Sequence, residues 1–97
     1  MKLMSGPKQQ QQSELVNKFN ALGDKTRFRL LQLLLEDDGI CVSELASEIK
    51  ISNAGVSQQL KIMEQAGILT RKRMGQKICY SVDLNNESNK KLMKLLG

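Results

Sequence analysis

Residues 50–77 read KISNAGVSQQLKIMEQAGILTRKRMGQK. Val56, Leu60 and Met63 repeat at helical spacing, Ser52 supplies an N-cap, and Gly67 supplies a stop. Beyond Gly67, residues 68–73 and 77–82 read as two strands around Met74-Gly75-Gln76, with Ile78, Tyr80 and Val82 alternating toward a core. A helix running to about Ala66 is therefore followed by a β-hairpin. Charge singles out the same stretch. Lys50, Lys61, Arg71, Lys72, Arg73 and Lys77 stand against one acid, Glu64, so this segment holds the whole net charge of +5. The rest of the chain carries nine basic and nine acidic side chains and cancels. An excess confined to one structural unit marks a surface for a polyanion.

Working outward, Ser43 opens a helix over about residues 43–49, with Leu45, Ala46 and Ile49 inward. Lys50-Ile51-Ser52 then forms a tight turn, and two helices so joined make a helix-turn-helix. The preceding Ile40-Cys41-Val42 is β-prone. Asp24 caps a helix to about Glu36 in which Phe28, Leu30, Leu31, Leu33, Leu34 and Leu35 cover most of the circumference, the pattern of a helix buried on several sides. Before it, Ser13 starts a helix with Leu15, Phe19 and Leu22 on one face and Val16 beside them, ended by Gly23. The chain closes on a short amphipathic helix with Leu92, Leu95 and Leu96. Residues 1–12 have no hydrophobic period and read as a disordered tail, leaving 13–97 as one domain. The expected fold is mainly α with a small β-hairpin, a winged helix-turn-helix. Its first and last helices form a dimer seam from Leu15, Phe19, Leu92, Leu95 and Leu96.

The residue inventory narrows the function. Phe19, Phe28 and Tyr80 are the only aromatics, too few for a platform that stacks single-stranded bases. Histidine is absent, which removes the commonest general base and metal ligand together; no cofactor or metal is expected. With no phosphate-cradling glycine loop and no paired carboxylates, the chain does not read as an enzyme. No apolar run matches a bilayer or a signal core, so a cytoplasmic protein is expected. Cys41 and Cys79 are too few for a secreted disulfide framework.

Double-stranded DNA fits what remains. The outward face of the second helix carries Asn53, Ala54, Ser57, Gln58 and Lys61, with Ser52 at its start. Asn and Gln can bond adenine bidentately, Ser can bond base or phosphate, and Ala can touch a thymine methyl. Lys61, one turn on, and the hairpin cations Arg71, Lys72, Arg73 and Lys77 suit phosphates. The competing reading is a protein-interaction module whose basic hairpin meets an acidic protein.

Four runs resemble the ArsR-type (arsenic-repressor) family of winged helix-turn-helix regulators. They are Ala21-Leu22-Gly23-Asp24-Lys25-Thr26-Arg27, Val42-Ser43-Glu44-Leu45-Ala46, Val56-Ser57-Gln58-Gln59-Leu60-Lys61 and Ala66-Gly67-Ile68-Leu69. The resemblance covers residues 21–82 and implies a homodimer on an imperfect DNA palindrome, with repression relieved by an effector. Three departures stand out. The family often has a histidine where this chain has Gln58 or Gln59. Gly55 weakens the recognition helix. The last helix is short. Metal-sensing relatives carry Cys-Val-Cys where this chain has Cys41-Val42-Ser43, and Cys41 alone cannot close a thiolate site. A thiol switch is the remaining effector idea. If residues 40–42 pair with the second hairpin strand, Ile40, Val42, Ile78 and Tyr80 face in. Cys41 and Cys79 then face out as neighbours.

Overall fold

The computed structural model describes residues 7–96. Along the chain run α1 (Pro7–Leu22), α2 (Lys25–Glu36), β1 (Ile40–Cys41), α3 (Val42–Ile49), α4 (Asn53–Gln65), β2 (Leu69–Met74), β3 (Lys77–Val82) and α5 (Glu87–Leu96). The three strands form one antiparallel sheet in the order β1-β3-β2. Around it the helices make the winged helix-turn-helix expected from the sequence.

α2 is the centre of the core. Leu30, Leu31, Leu33 and Leu34 are buried there against Leu45 of α3, Val56, Leu60 and Met63 of α4, and Tyr80 of β3. Asp24 caps it by accepting a 3.1 Å bond from the Arg27 amide. Leu35, expected from the sequence to be buried with the others, is exposed, because at about 100° per residue it falls beyond the arc that Leu30, Leu31, Leu33 and Leu34 occupy.

Several boundaries shift. α1 begins at Pro7, not Ser13, so residues 7–12 are helical where a disordered tail was expected. Proline suits the first helical position and glutamine is a good helix former, so the run contains nothing that stops a helix. The expectation for residues 1–6 lies outside the described residues. α3 opens at Val42, one residue before the expected Ser43, with Cys41 as its N-cap residue. The hairpin loop is two residues, because Met74 still pairs with Lys77. Gly75, at φ 66, supplies the positive angle at the first loop position that such a tight turn requires.

α1 turns an unexpected face inward. Lys18, 1% exposed, lies buried with Ala21 and Leu22, while Phe19 (49%) and Val16 (56%) are open. The Lys18 stem passes Gly67, where an added Cβ would lie 3.5 Å from its Cε. Its ammonium donates to Asn86 Oδ1 at 2.9 Å and to Ser88 Oγ. Burial pushes the Lys18 pKa down, with Glu14 and Asp83 pulling it back up. At the other end of the chain, Leu92 is fully buried inside the subunit while Leu95 and Leu96 stay exposed. Leu92 therefore belongs to the core, not to a seam between subunits.

Asn89 ties α5 to the rest. Its Nδ2 donates to the Gly67 carbonyl at 2.9 Å and the Asp83 carbonyl at 2.8 Å, so one buried amide holds the exits of both α4 and β3. Asn89→Ala strands those carbonyls and should cost about 1–3 kcal/mol in urea unfolding. Lys90→Ala, which removes only an exposed pairing with Glu87, should cost less than about 0.5 kcal/mol. Equal losses would show that Asn89 holds nothing together.

Candidate nucleic-acid interface

The helix-turn-helix is set by local chemistry at its turn. Lys50 adopts a left-handed backbone (φ 68) and its N–H reaches the Ala46 carbonyl at 2.8 Å, closing α3. Ser52 then caps α4, its Oγ accepting from the Gly55 amide at 3.0 Å. Gly55, a weak helix former on propensity grounds, has a steric reason to be there. A Cβ at this position would sit 3.1 Å from the Ser52 Oγ and crowd the cap. The start of the recognition helix is thus exchanged between cap strength and helix propensity.

Val56, Leu60 and Met63 are fully buried and fix which side of α4 faces out. Asn53, Ala54, Gln58 and Lys61 are exposed and Ser57 is half-buried. The adjacent glutamines have separate fates. Gln59 accepts a 2.8 Å bond from Arg27 Nη1, while Arg27 Nε donates to the Ala21 carbonyl. Arg27 so clamps α4 to the end of α1, which leaves Gln58 as the glutamine open to an incoming partner.

The hairpin stands beside this helix. Asn53, Ser57 and Lys61 from α4, and Arg71, Gln76 and Lys77 from the hairpin, line one open groove of about 470 Å³. Cys41, Val42, Ser43, Ile78 and Tyr80 complete it. Directly opposed residues of an antiparallel pair share a face. Arg71 lies opposite Tyr80 and Arg73 opposite Ile78, so both arginines are on the face turned to α4. Arg71 Nε lies 3.8 Å from Glu64 Oε2, the single acid of the segment. Lys72, opposite Cys79, stands on the other face and is not part of the groove. Tyr80 forms part of the floor; burial, helped by Glu64, raises its pKa above the ordinary phenol value, with Arg71 opposing.

Sequence reasoning missed Ser43 and Gln76 as groove residues. Ser43 reads as the first residue of a helix, and Gln76 as part of a turn. It also missed the Arg27 clamp, which joins positions 32 apart in the chain and leaves no local pattern. Cys41 and Cys79 are the neighbours that strand alternation anticipated, and they form a disulfide. Both are buried, however, at 9% and 5% exposed, where strand alternation alone had them facing out.

Similarity to known proteins converges on the same elements. A helix-turn-helix domain family matches residues 22–72. The transcriptional repressor SmtB homolog of Synechocystis is 34% identical over 87 residues, covering 90% of this chain and 63% of that protein. The putative arsenical resistance operon repressor ArsR2 of Halobacterium salinarum is 39% identical over 57 residues, 58% of this chain and 48% of its own length. Among solved structures, HlyU from Vibrio cholerae superposes with a TM-score of 0.76 at 25% identity, covering 88% of this chain and 89% of that one. The chain spans about half to two thirds of the length of curated relatives such as these.

Ser52→Ala removes the cap and should cost about 1 kcal/mol of thermal stability. Hydrogen exchange at the Gly55 amide should accelerate first, ahead of exchange at Leu60. Uniform acceleration along α4 would show that the cap has no local role.

Proposed function

The chain belongs to the ArsR-type family of helix-turn-helix regulators, and on that premise we propose that it is a dimeric, sequence-specific DNA-binding repressor of transcription. The observation that carries the reading is the shared groove. Polar side chains of α4 and the hairpin cations Arg71 and Lys77 line one surface, and a duplex needs both a helix for its major groove and cations for its backbone. The names of the relatives favour DNA over an acidic protein as the partner. A repressor of this kind works in the cytoplasm as a binding protein, not as an enzyme.

Each residue takes a role from its position. Asn53, Ser57 and Gln58 read base edges, with Ala54 placed for a thymine methyl and Ser52 at the helix start. Lys61, Arg71, Arg73 and Lys77 hold phosphates. Lys72, on the far face of the hairpin, adds to the positive field without a direct bond.

One short helix reads few bases, so a second copy is required for specificity. The exposed Val16 and Phe19 of α1 and Leu95 and Leu96 of α5 supply an apolar seam for it. Two-fold pairing sets the recognition helices about 34 Å apart, in successive major grooves, and makes the operator an imperfect palindrome. Selection of bound fragments from random duplex DNA tests this directly. The reading requires two inverted half-sites about one helical turn apart, and a pool that never enriches overturns it.

Two further outcomes separate the roles. Gln58→Ala should lose about 1–3 kcal/mol of discrimination at one base pair. Arg73→Ala should weaken every sequence alike and flatten the salt dependence, whose log–log slope for the dimer should lie near about −7 from four phosphates per subunit. If the two variants behave alike in competition binding, the assignment is wrong. For the seam, Phe19→Glu should sediment as a monomer at concentrations where the parent protein is dimeric. A variant that stays dimeric would place the subunit contact elsewhere.

A further inference from the structure

The disulfide lies where the two halves of the proposed DNA surface meet. Cys41 is the last residue of β1 and the N-cap residue of α3, with its N–H held by Glu44 Oε1 at 3.2 Å. Cys79 is in the middle of β3 and pairs with Lys72 on the hairpin's outer strand. The bond joins residues 38 apart in sequence. It therefore encloses α3, the turn, α4, β2 and the hairpin loop, that is, the whole helix-turn-helix and most of the wing. Apart from the bond, β1 meets the wing through two residue pairs alone, Ile40 with Tyr80 and Cys41 with Cys79.

Cys41 is the less deeply buried of the two residues, 9% exposed against 5% for Cys79. Cys41 lines the groove that also contains Lys61, Arg71 and Lys77, whereas Cys79 does not line it. Those cations raise the local concentration of an anionic thiol and favour the thiolate form, the attacking species. In a cytosolic protein a disulfide is more often transient or sensing than structural.

We propose that Cys41–Cys79 is a thiol-exchange site, opened and closed by a small anionic thiol and its disulfide, and that DNA affinity follows its state. The inference rests on the DNA-binding reading above. In the opening direction a thiolate attacks the Cys41 sulfur. A bond forms between the two, the Cys41–Cys79 bond breaks, and its electron pair leaves on Cys79, which takes a proton. A second thiolate attacks the small molecule's sulfur in that mixed disulfide, releasing Cys41 to be protonated in turn. In sum, one protein disulfide and two small thiols become two protein thiols and one small disulfide. The closing direction is the reverse, with the small-molecule disulfide as oxidant.

The closed bond fixes the wing against the start of α3, so the surface is already arranged before DNA arrives. The open form must arrange it on binding, and it binds more weakly. Because the groove is also the path proposed for DNA, bound duplex covers the approach to Cys41. Linkage then requires that DNA shift the exchange equilibrium toward the closed bond by the factor by which opening weakens DNA binding, and the covered approach slows the opening as well.

The test uses the full chain, oxidised and then incubated with reduced glutathione, with thiols counted by alkylation and mass measurement. Binding to the selected duplex is followed by fluorescence anisotropy. Two thiols should become free, and oxidised glutathione should remove them again. The open form should bind at least about fivefold more weakly. Duplex should slow the opening, and Cys79→Ser should bind like the open form in either buffer. A bond that stays closed in excess glutathione, as a permanent staple would, overturns the proposal. So does a bond that opens without changing affinity, a result read on the parent protein and independent of how the variant folds. Binding by neither form overturns the DNA reading itself, and this inference with it.

Discussion

Two strand pairs, Ile40 with Tyr80 and Cys41 with Cys79, hold the hairpin against the start of the helix-turn-helix. The rest of the surface depends on that attachment. β1 runs without a loop into α3, so the strand that receives the wing is also the lead-in to the first helix of the motif. Tyr80 carries the attachment inward, being buried against the leucines of α2. A hairpin alone is marginal in water. Here it gains a third strand and a core to pack on, and Arg71 and Lys77 take fixed positions beside α4.

The recognition helix is held from the opposite side. Val56, Leu60 and Met63 sink into the core and settle its rotation, while Arg27 grips Gln59 and the end of α1. At its far end, Gly67 and Ile68 are bound into a polar cluster in which Asn89 bonds their region to α5 and Lys18 reaches Asn86 and Ser88. The middle of α4 and its C-terminal exit are thus tied to the terminal helices, which carry the exposed apolar residues that suit a second subunit. The element proposed to read DNA and the elements proposed to pair subunits share hydrogen bonds, so a change in one is felt by the other.

Much of this was legible in sequence because it rests on short-range rules. Ser52 and Gly67 bracketed α4, Asp24 marked the start of α2, and strand alternation placed Cys41 beside Cys79. Errors arose where tertiary packing decides. A lysine is an improbable inward residue for α1, and what accepts Lys18 there is a pair of polar side chains, Asn86 and Ser88, 68 and 70 positions away in the chain. Leu92 looked equivalent to Leu95, yet one is in the core and the other in solvent. Four hairpin cations formed one cluster on paper, but the two-residue repeat of a strand sends Lys72 away from Arg71 and Arg73. Arg27 and Gln59 belong to separate motifs, and nothing in either announces the bond between them.

The most direct measurement is an amide-resolved NMR titration of the protein with its selected duplex. If helix and wing form one DNA surface, the largest shifts fall together on residues 52–61 and 71–77, at the same DNA concentration, with Leu35 and Leu84, which line a separate groove, unmoved. Shifts confined to the Leu35 and Leu84 groove, or none in dilute buffer, would contradict it.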